Sequence, residues 1–246
     1  MVAANKKANT SEYAYYRAMR DTAARNFRKF LYETNVGAGL PVIDTMQSLI
    51  RSGDELKTFE GILSGSLSMI FGLLEDGKSL SESVSEAMKL GFTEPDPRDD
   101  LSGMDVARKL LIIAREVGLK LELKDIEVEP VVPMEQVGQV DRADLIGALE
   151  TLNDEFAAKI AAAEAAGDVL RYVARIEDGK CRVSIEPVPA SKPLGAIRDG
   201  ENALVLHTQY YQPIPLVLRG YGAGAAVPAS GVFGDILRTV WRPLDN

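Results

Sequence analysis

The sequence predicts an α+β fold, a mixed α/β architecture in which a largely antiparallel or mixed β-sheet is covered by helices. Three observations predict it. The first half of the chain carries apolar residues at helical spacing, and the second half carries short apolar runs joined as hairpins. The two kinds never settle into strict β-α alternation. At 246 residues the chain can bury a real core.

Residues 10–26 open with Thr10-Ser11 as a cap and continue through Tyr13, Tyr16, Met19 and Ala23, a helical spacing. Residues 30–36 read as a strand ended by Gly37-Ala38-Gly39. A helix follows from Leu40-Pro41 through Ile43, Met46, Leu49 and Ile50 to Gly53, with proline in the first turn. Residues 56–63 read as a strand, and Ser64-Gly65-Ser66 leads from it into a helix ending at Gly77. Ser79, with Glu82 three residues on, predicts a capping box for a helix reaching about Leu90. Gly91 to Gly103 reads as a loop, and 104–117 as a strong helix stopped by Gly118.

Residues 126–133 read as a short strand and 142–166 as one long helix. The strands 169–176 and 182–188 flank Asp178-Gly179, a hairpin turn signal. Two more strands, 203–209 and 215–222, precede a closing helix at 230–241.

Composition removes several function classes. The net charge of −8 argues against nucleic-acid binding, which needs a basic patch to displace counterions. No apolar run approaches the roughly 20 residues of a membrane helix, so no membrane partner is expected. One cysteine, Cys181, and one histidine, His207, both in strand-like runs, leave no internal disulfide and no transition-metal or Cys–His set. A cytoplasmic location follows. The first thirty residues are basic and helical, a pattern shared with transit peptides. The chain has no Gly-x-Gly-x-x-Gly after a first strand and no P-loop.

The densest chemical signal runs from Gly91 to Lys109. It holds four acids within seven residues (Glu94, Asp96, Asp99, Asp100), stiffened by Pro95 and Pro97. Asp105 and Lys109 follow four apart on one helix face. Capping and an ordinary surface ion pair would account for part of this. A helix apolar on several sides would instead bury the pair, which is costly unless it is used. Ser64-Gly65-Ser66, between strand and helix, offers backbone N–H groups to an anion or serves as a plain cap.

These residues match a known family. The segment from Glu94 to Lys109 closely resembles the signature of homoserine dehydrogenases. So do Asn5-Lys6-Lys7-Ala8, Glu33-Thr34-Asn35-Val36-Gly37-Ala38-Gly39-Leu40-Pro41, Gly61-Ile62-Leu63-Ser64-Gly65-Ser66-Leu67-Ser68 and Gly222-Ala223-Gly224-Ala225-Ala226-Val227. Arg171-Tyr172-Val173, Tyr210-Tyr211-Gln212-Pro213 and Arg219-Gly220-Tyr221 resemble the C-terminal part of bacterial bifunctional aspartokinase–homoserine dehydrogenases. The resemblance covers essentially the whole chain.

The resemblance implies NAD(P)-dependent interconversion of L-homoserine and L-aspartate 4-semialdehyde. Lys109 and Lys6 would be the catalytic lysines at the reacting oxygen. Glu94, Asp105 and Asp100 would bind the substrate ammonium or support that contact, Gly65 and Ser66 the carboxylate, and Phe92 would line the substrate pocket. Lys6, Gly91, Glu94 and Gly224 would meet the cofactor. Glu33, with carbonyls of Val36, Ala38 and Leu40, would hold a monovalent cation such as sodium. Two departures stand out. Phe92 replaces a usual tyrosine, and Pro228 occupies a threonine-like position.

It also implies an organisation. Residues 1–28 would be a remnant of a Rossmann-type nucleotide-binding domain, which disposes of the transit-peptide reading. Residues 29–229 would form the catalytic and dimerisation domain of a homodimer or homo-oligomer. Residues 230–246 would be a helix that packs on the missing nucleotide-binding domain, with an aspartokinase domain as a further missing partner. A chain without the nucleotide domain is expected to bind NAD(P) poorly and turn over little. The alternative is a non-catalytic dimerisation or regulatory fragment.

Overall fold

The computed structural model describes residues 1–222 and 224–240. The chain begins with α1 (Lys7–Thr10), α2 (Tyr13–Arg25) and α3 (Val42–Arg51), then β1 (Leu56–Ile62). Helices α4 (Gly65–Glu75), α5 (Leu80–Lys89), α6 (Pro97–Leu101) and α7 (Met104–Glu116) follow. Next come β2 (Glu127–Val128), α8 (Met134–Val137), α9 (Leu145–Glu150) and α10 (Asn153–Ala165). The chain closes with β3 (Asp168–Glu177), β4 (Lys180–Pro189), β5 (Glu201–Thr208), β6 (Leu216–Tyr221) and α11 (Ala226–Val240).

The strands form one six-stranded sheet in the order β2-β4-β3-β1-β5-β6. Among the described residues only β2 on β4 is parallel, so the sheet is mixed and largely antiparallel, as the sequence predicts. The β3–β4 hairpin pairs from Asp168↔Pro189 to Glu177↔Lys180. Its turn uses Asp178 and Gly179 at φ +50 and +74, the left-handed geometry that twisted strands require.

Strand alternation divides the sheet into two faces. Phe59, Tyr172, Ala174, Ile176, Leu204 and Leu206 point into the main core with α4, α5 and α7. Ile62, Val173, Ala203 and Val205 build a smaller cluster on the other side. Helix α7 is buried along most of its length, as a helix apolar on several sides must be. Each fully buried Leu, Ile or Phe here contributes about 1.5–3 kcal/mol relative to exposure. Among the described residues, no helix is long and apolar enough to cross a membrane.

Several sequence expectations are corrected. Residues 30–36 do not form a strand. Leu31 makes an isolated bridge to Val2, and Glu33–Asn35 is a 3-10 turn. Side chains decide this: the Asn35 amide donates to the carbonyls of Ala3 and Ala4, and Glu33 accepts from the amides of Ile43 and Asp44.

The helix expected over 142–166 is broken into a 3-10 turn, α9 and α10. The break lets α9 pack on α5 while α10 packs on β3, and Leu149, Leu152 and Phe156 are all buried. The bend after Gly91 contains α6, capped by Asp96 with Pro97 in its first turn. The helix expected over 10–26 is interrupted at Ser11-Glu12, and the strand expected over 126–133 shrinks to two residues.

Helix α11 starts at Ala226, four residues earlier than expected, with Pro228 in its first turn, where proline costs no intrahelical bond. Trp241 lies outside the described residues. Cys181 is a buried strand thiol, and burial raises its pKa to about 11.

Candidate functional site

The site begins at Gly103. Its φ of +72 turns the chain sharply into α7, a conformation that suits glycine. The helix then presents Asp105 and Lys109 on one face, as the spacing predicts, with Lys109 Nζ 2.8 Å from Asp105 Oδ2. The other carboxylate oxygen, Oδ1, takes Lys6 Nζ at 3.3 Å, from the residue that precedes α1. Asp105 therefore stands between two lysines. Lys109 also donates a 2.6 Å hydrogen bond to the carbonyl of Leu63, at the end of β1.

From Leu63 the chain passes directly into the second element. Ser64 Oγ caps α4 by accepting from Leu67 N, and it lies 2.9 Å from Ser66 Oγ. Ser66 Oγ donates 2.5 Å to Asp100 Oδ1, and Asp100 Oδ2 accepts from the amide of Glu94 at 2.8 Å. One polar chain thus joins Lys6, Asp105, Lys109, the start of α4, Asp100 and the acidic bend. Gly65 backs onto the turn that precedes β5, where an added Cβ would lie 3.2 Å from the Gly200 carbonyl. The Phe92 ring packs against Gly200 and so walls this end of the site with carbon.

The electrostatics follow the geometry. Burial would raise the Asp105 carboxyl, but Lys109 and then Lys6 outweigh it and hold the pKa down to about 2. The Asp100 carboxyl is raised by burial, and the charges of Glu94 and Asp105 push it the same way. Hydrogen bonds from Ser66 and the Glu94 amide oppose that shift. Asp100 therefore sits close enough to both Asp105 and Glu94 to feel their charge. Glu94 is exposed, and among the described residues its carboxylate has no ion-pair partner. The cluster is open to solvent at Asp105, whose side chain is 44% exposed, and more closed at Lys109, at 15%.

The structure brings together Lys6, Asp105, Lys109, Ser66, Asp100 and Glu94, with Gly65 and Phe92 as backbone and carbon walls. Gly91 (φ +75) and Gly224 (φ +82) both leave open space where a side chain would stand. Bare backbone of this kind leaves room beside it for a flat ring. Nothing in the chain has the Gly-x-Gly-x-x-Gly spacing that cradles a dinucleotide's diphosphate.

Glu33 belongs to a separate cluster. Its carboxylate accepts from Ile43 N at 2.6 Å and Asp44 N at 3.0 Å, capping α3, and Arg238 stands 3.7 Å away. Burial raises its pKa. Nearby, Ala38 adopts φ +59, and the Leu40 carbonyl accepts from Val42 N. A hollow of about 700 Å³ between α2 and Met1, Lys29 and Phe30 shares no residue with the lysine cluster.

Sequence reasoning missed three features. Asp105 pairs with Lys6 as well as with Lys109. The Leu63 carbonyl anchors Lys109, and Gly200 and Gly222 back the start of α4. The spacing of Asp105 and Lys109 signalled their pairing. No local signal marks a carbonyl, or a glycine far along the chain.

The family profile for homoserine dehydrogenase matches residues 41–237. A bifunctional aspartokinase/homoserine dehydrogenase of Haemophilus influenzae is 59% identical over 240 residues, covering 98% of this chain and 29% of the relative. The chain thus spans under a third of the curated relative it matches. Among solved structures, a Candida auris protein of unknown function is similar at TM-score 0.90 and 36% identity, over 96% of this chain and 68% of that one. A hyperthermophilic archaeal homoserine dehydrogenase in complex with NADPH is similar at TM-score 0.70 and 26% identity, over 97% of this chain and 63% of that one. On the profile match and the similarity across nearly its whole length, this chain belongs to the homoserine dehydrogenase family.

Proposed function

We propose that the chain supplies the substrate-binding and proton-transfer half of an NAD(P)-dependent homoserine dehydrogenase, interconverting L-aspartate 4-semialdehyde and L-homoserine. The observation that carries the reading is the Lys6–Asp105–Lys109 bridge beside the start of α4. The nicotinamide cofactor, when bound, supplies or takes the hydride. Its reacting end would lie against Gly91, Gly224, Lys6 and Glu94.

The chain's own residues manage charge and position. In the reducing direction Lys109 gives a proton to the oxygen that was the aldehyde, and in the oxidising direction it takes that proton back. Lys6 adds a second positive charge at the same oxygen. Asp105 stays ionised at neutral pH and holds both lysine heads, sparing them mutual repulsion. The amides of Gly65 and Ser66, at the positive end of α4, receive the substrate carboxylate. Glu94, whose carboxylate has no ion-pair partner among the described residues, receives the substrate ammonium. Asp100 orients both, through Ser66 and the Glu94 amide. Phe92 shields the end of the pocket from water and offers no hydroxyl.

Residues 1–28 belong, in this reading, to a nucleotide-binding domain, and the helix at 230–246 packs on that domain. The exposed Phe233, Ile236, Leu237 and Val240 on α11 support it, being apolar surface that water leaves uncovered at a cost. The assembly is a cytoplasmic homodimer or homo-oligomer. A monovalent cation such as sodium would share the Glu33 carboxylate and the carbonyls of Val36, Ala38 and Leu40. The support is an oxygen-only donor set, and the ion enters no step.

The test has two parts. The chain alone is titrated with L-homoserine, and the chain joined to a nucleotide-binding domain is assayed with aspartate 4-semialdehyde and NADPH. Saturable homoserine binding and NADPH oxidation are expected. Failure of both overturns the proposal.

A further inference from the structure

Arg115 lies near the end of α7, far from the lysine cluster, and its side chain is 0% exposed. Burying a guanidinium costs several kcal/mol unless its donors are matched. Here they are. Nη1 donates to the carbonyls of Asn9 at 2.9 Å and Ser11 at 2.8 Å. Nε and Nη2 donate to the Leu121 carbonyl, at 3.1 and 2.9 Å. Nη2 also pairs with Glu122 at 3.2 Å, and Glu122 accepts from the Tyr13 amide at 2.8 Å. The guanidinium stacks over the rings of Tyr16 and Tyr13.

Two of these recipients stand at the far end of α1, the helix that Lys6 precedes: Asn9 within it and Ser11 just past it. Helix α1 is thus tied to α7 at both ends, by Lys6 on Asp105 and by Asn9 and Ser11 on Arg115. The two anchor points on α7 are ten residues apart, about 15 Å along the axis. A one-turn helix has no intrinsic stability in water, so its place is set by such ties.

We infer that Arg115 is a positioning residue that fixes where α1 lies along α7 and so brings Lys6 to the Asp105 carboxylate. Its catalytic meaning rests on the proposed function, but the placement itself can be read without turnover.

The experiment follows the Asp105 carboxyl by ¹³C NMR pH titration in the wild-type chain, Arg115→Met, Arg115→Lys, Lys6→Gln and the Arg115→Met/Lys6→Gln double variant. The charged groups around Asp105 are Lys109 and Lys6, with Asp100 beyond them. Removing the Lys6 charge should raise the Asp105 titration by about one pH unit, since a nearby cation lowers a carboxyl by one to three. Arg115→Met should raise it equally, and the double variant no further. Arg115→Lys should fall between, because an ammonium cannot hold three carbonyls in a planar fork.

Selective acylation, read by mass spectrometry, should find Lys6 several-fold more reactive relative to Lys109 in Arg115→Met. A folded Arg115→Met with wild-type Asp105 titration overturns the inference, as does full additivity in the double variant. If Arg115→Met fails to fold, wild-type titration and Lys6 reactivity in Arg115→Lys overturn it. Absence of dehydrogenase turnover would sink the proposed function and leave these titrations unchanged.

Discussion

Gly103 lies so close to Tyr172 that a Cβ built on it would come within 1.9 Å of the tyrosine hydroxyl. That hydroxyl donates to the Glu129 carbonyl at 2.7 Å, a bond that a retreat of the ring would strain. Gly103→Ala therefore meets both a left-handed backbone and an overlap. It should destabilise the fold by about 3 kcal/mol, the sum of backbone strain and overpacking. Gly118→Ala, at φ +89 with open space around it, meets only the backbone strain and should cost about 1 kcal/mol. Urea unfolding of the two variants measures the difference, and equal losses would refute the steric argument.

Asp105 makes stability pH-dependent in one window. Its folded pKa, about 2, lies below the unfolded value of about 3.9. A depressed carboxyl contributes stability above the unfolded value and loses it as pH falls through the folded one. The wild-type chain should lose that increment between about pH 4 and pH 2, and Asp105→Asn should lack it. Thermal melts across that range compare the two. The partly exposed side chain keeps the effect modest.

Ser66 holds the Asp100 carboxyl down against burial. Ser66→Ala should push the Asp100 titration higher still, and carboxyl NMR reads the direction. A downward move would show that Ser66 is not the donor that matters.

Lys109 is the residue on which proton transfer depends. Lys109→Gln should lower turnover of the nucleotide-domain-joined enzyme by about 10²–10⁴-fold, with homoserine binding nearly unchanged. Lys6→Gln should cost less, since Lys109 remains. Equal losses in the two variants would move the acid–base role off Lys109.

Arg171 is buried in the sheet and donates to Glu75 and to the Gly195 carbonyl, each at 2.6 Å. Arg171→Met strands both acceptors and should destabilise the fold by about 3 kcal/mol, readable in urea unfolding.

How much of this was legible in the sequence depends on distance along the chain. The Asp178-Gly179 turn, the Ser79–Glu82 capping box and the Asp105–Lys109 pair are all local and all hold. The segment at 30–36 looked like a strand because apolar spacing cannot reveal that Glu33 and Asn35 spend their side chains on other backbone. The long helix at 142–166 broke because α5 and β3 each claim one half of its apolar face. In the site, the residue types were readable through family resemblance. Their arrangement was not, because Lys6 meets Asp105 across some hundred residues and Lys109 is anchored by a carbonyl that carries no side-chain signature.

The central place of β1 bears on how the protein is made. Its two neighbours, β3 and β5, are both encoded long after it. As the polypeptide leaves the ribosome, β1 must wait with both hydrogen-bonding edges bare until residue 168 and then residue 201 emerge. An unpaired apolar strand is the species that aggregates or recruits a chaperone. Slowing translation between α7 and β3 should therefore lower soluble yield more than the same delay placed after β5.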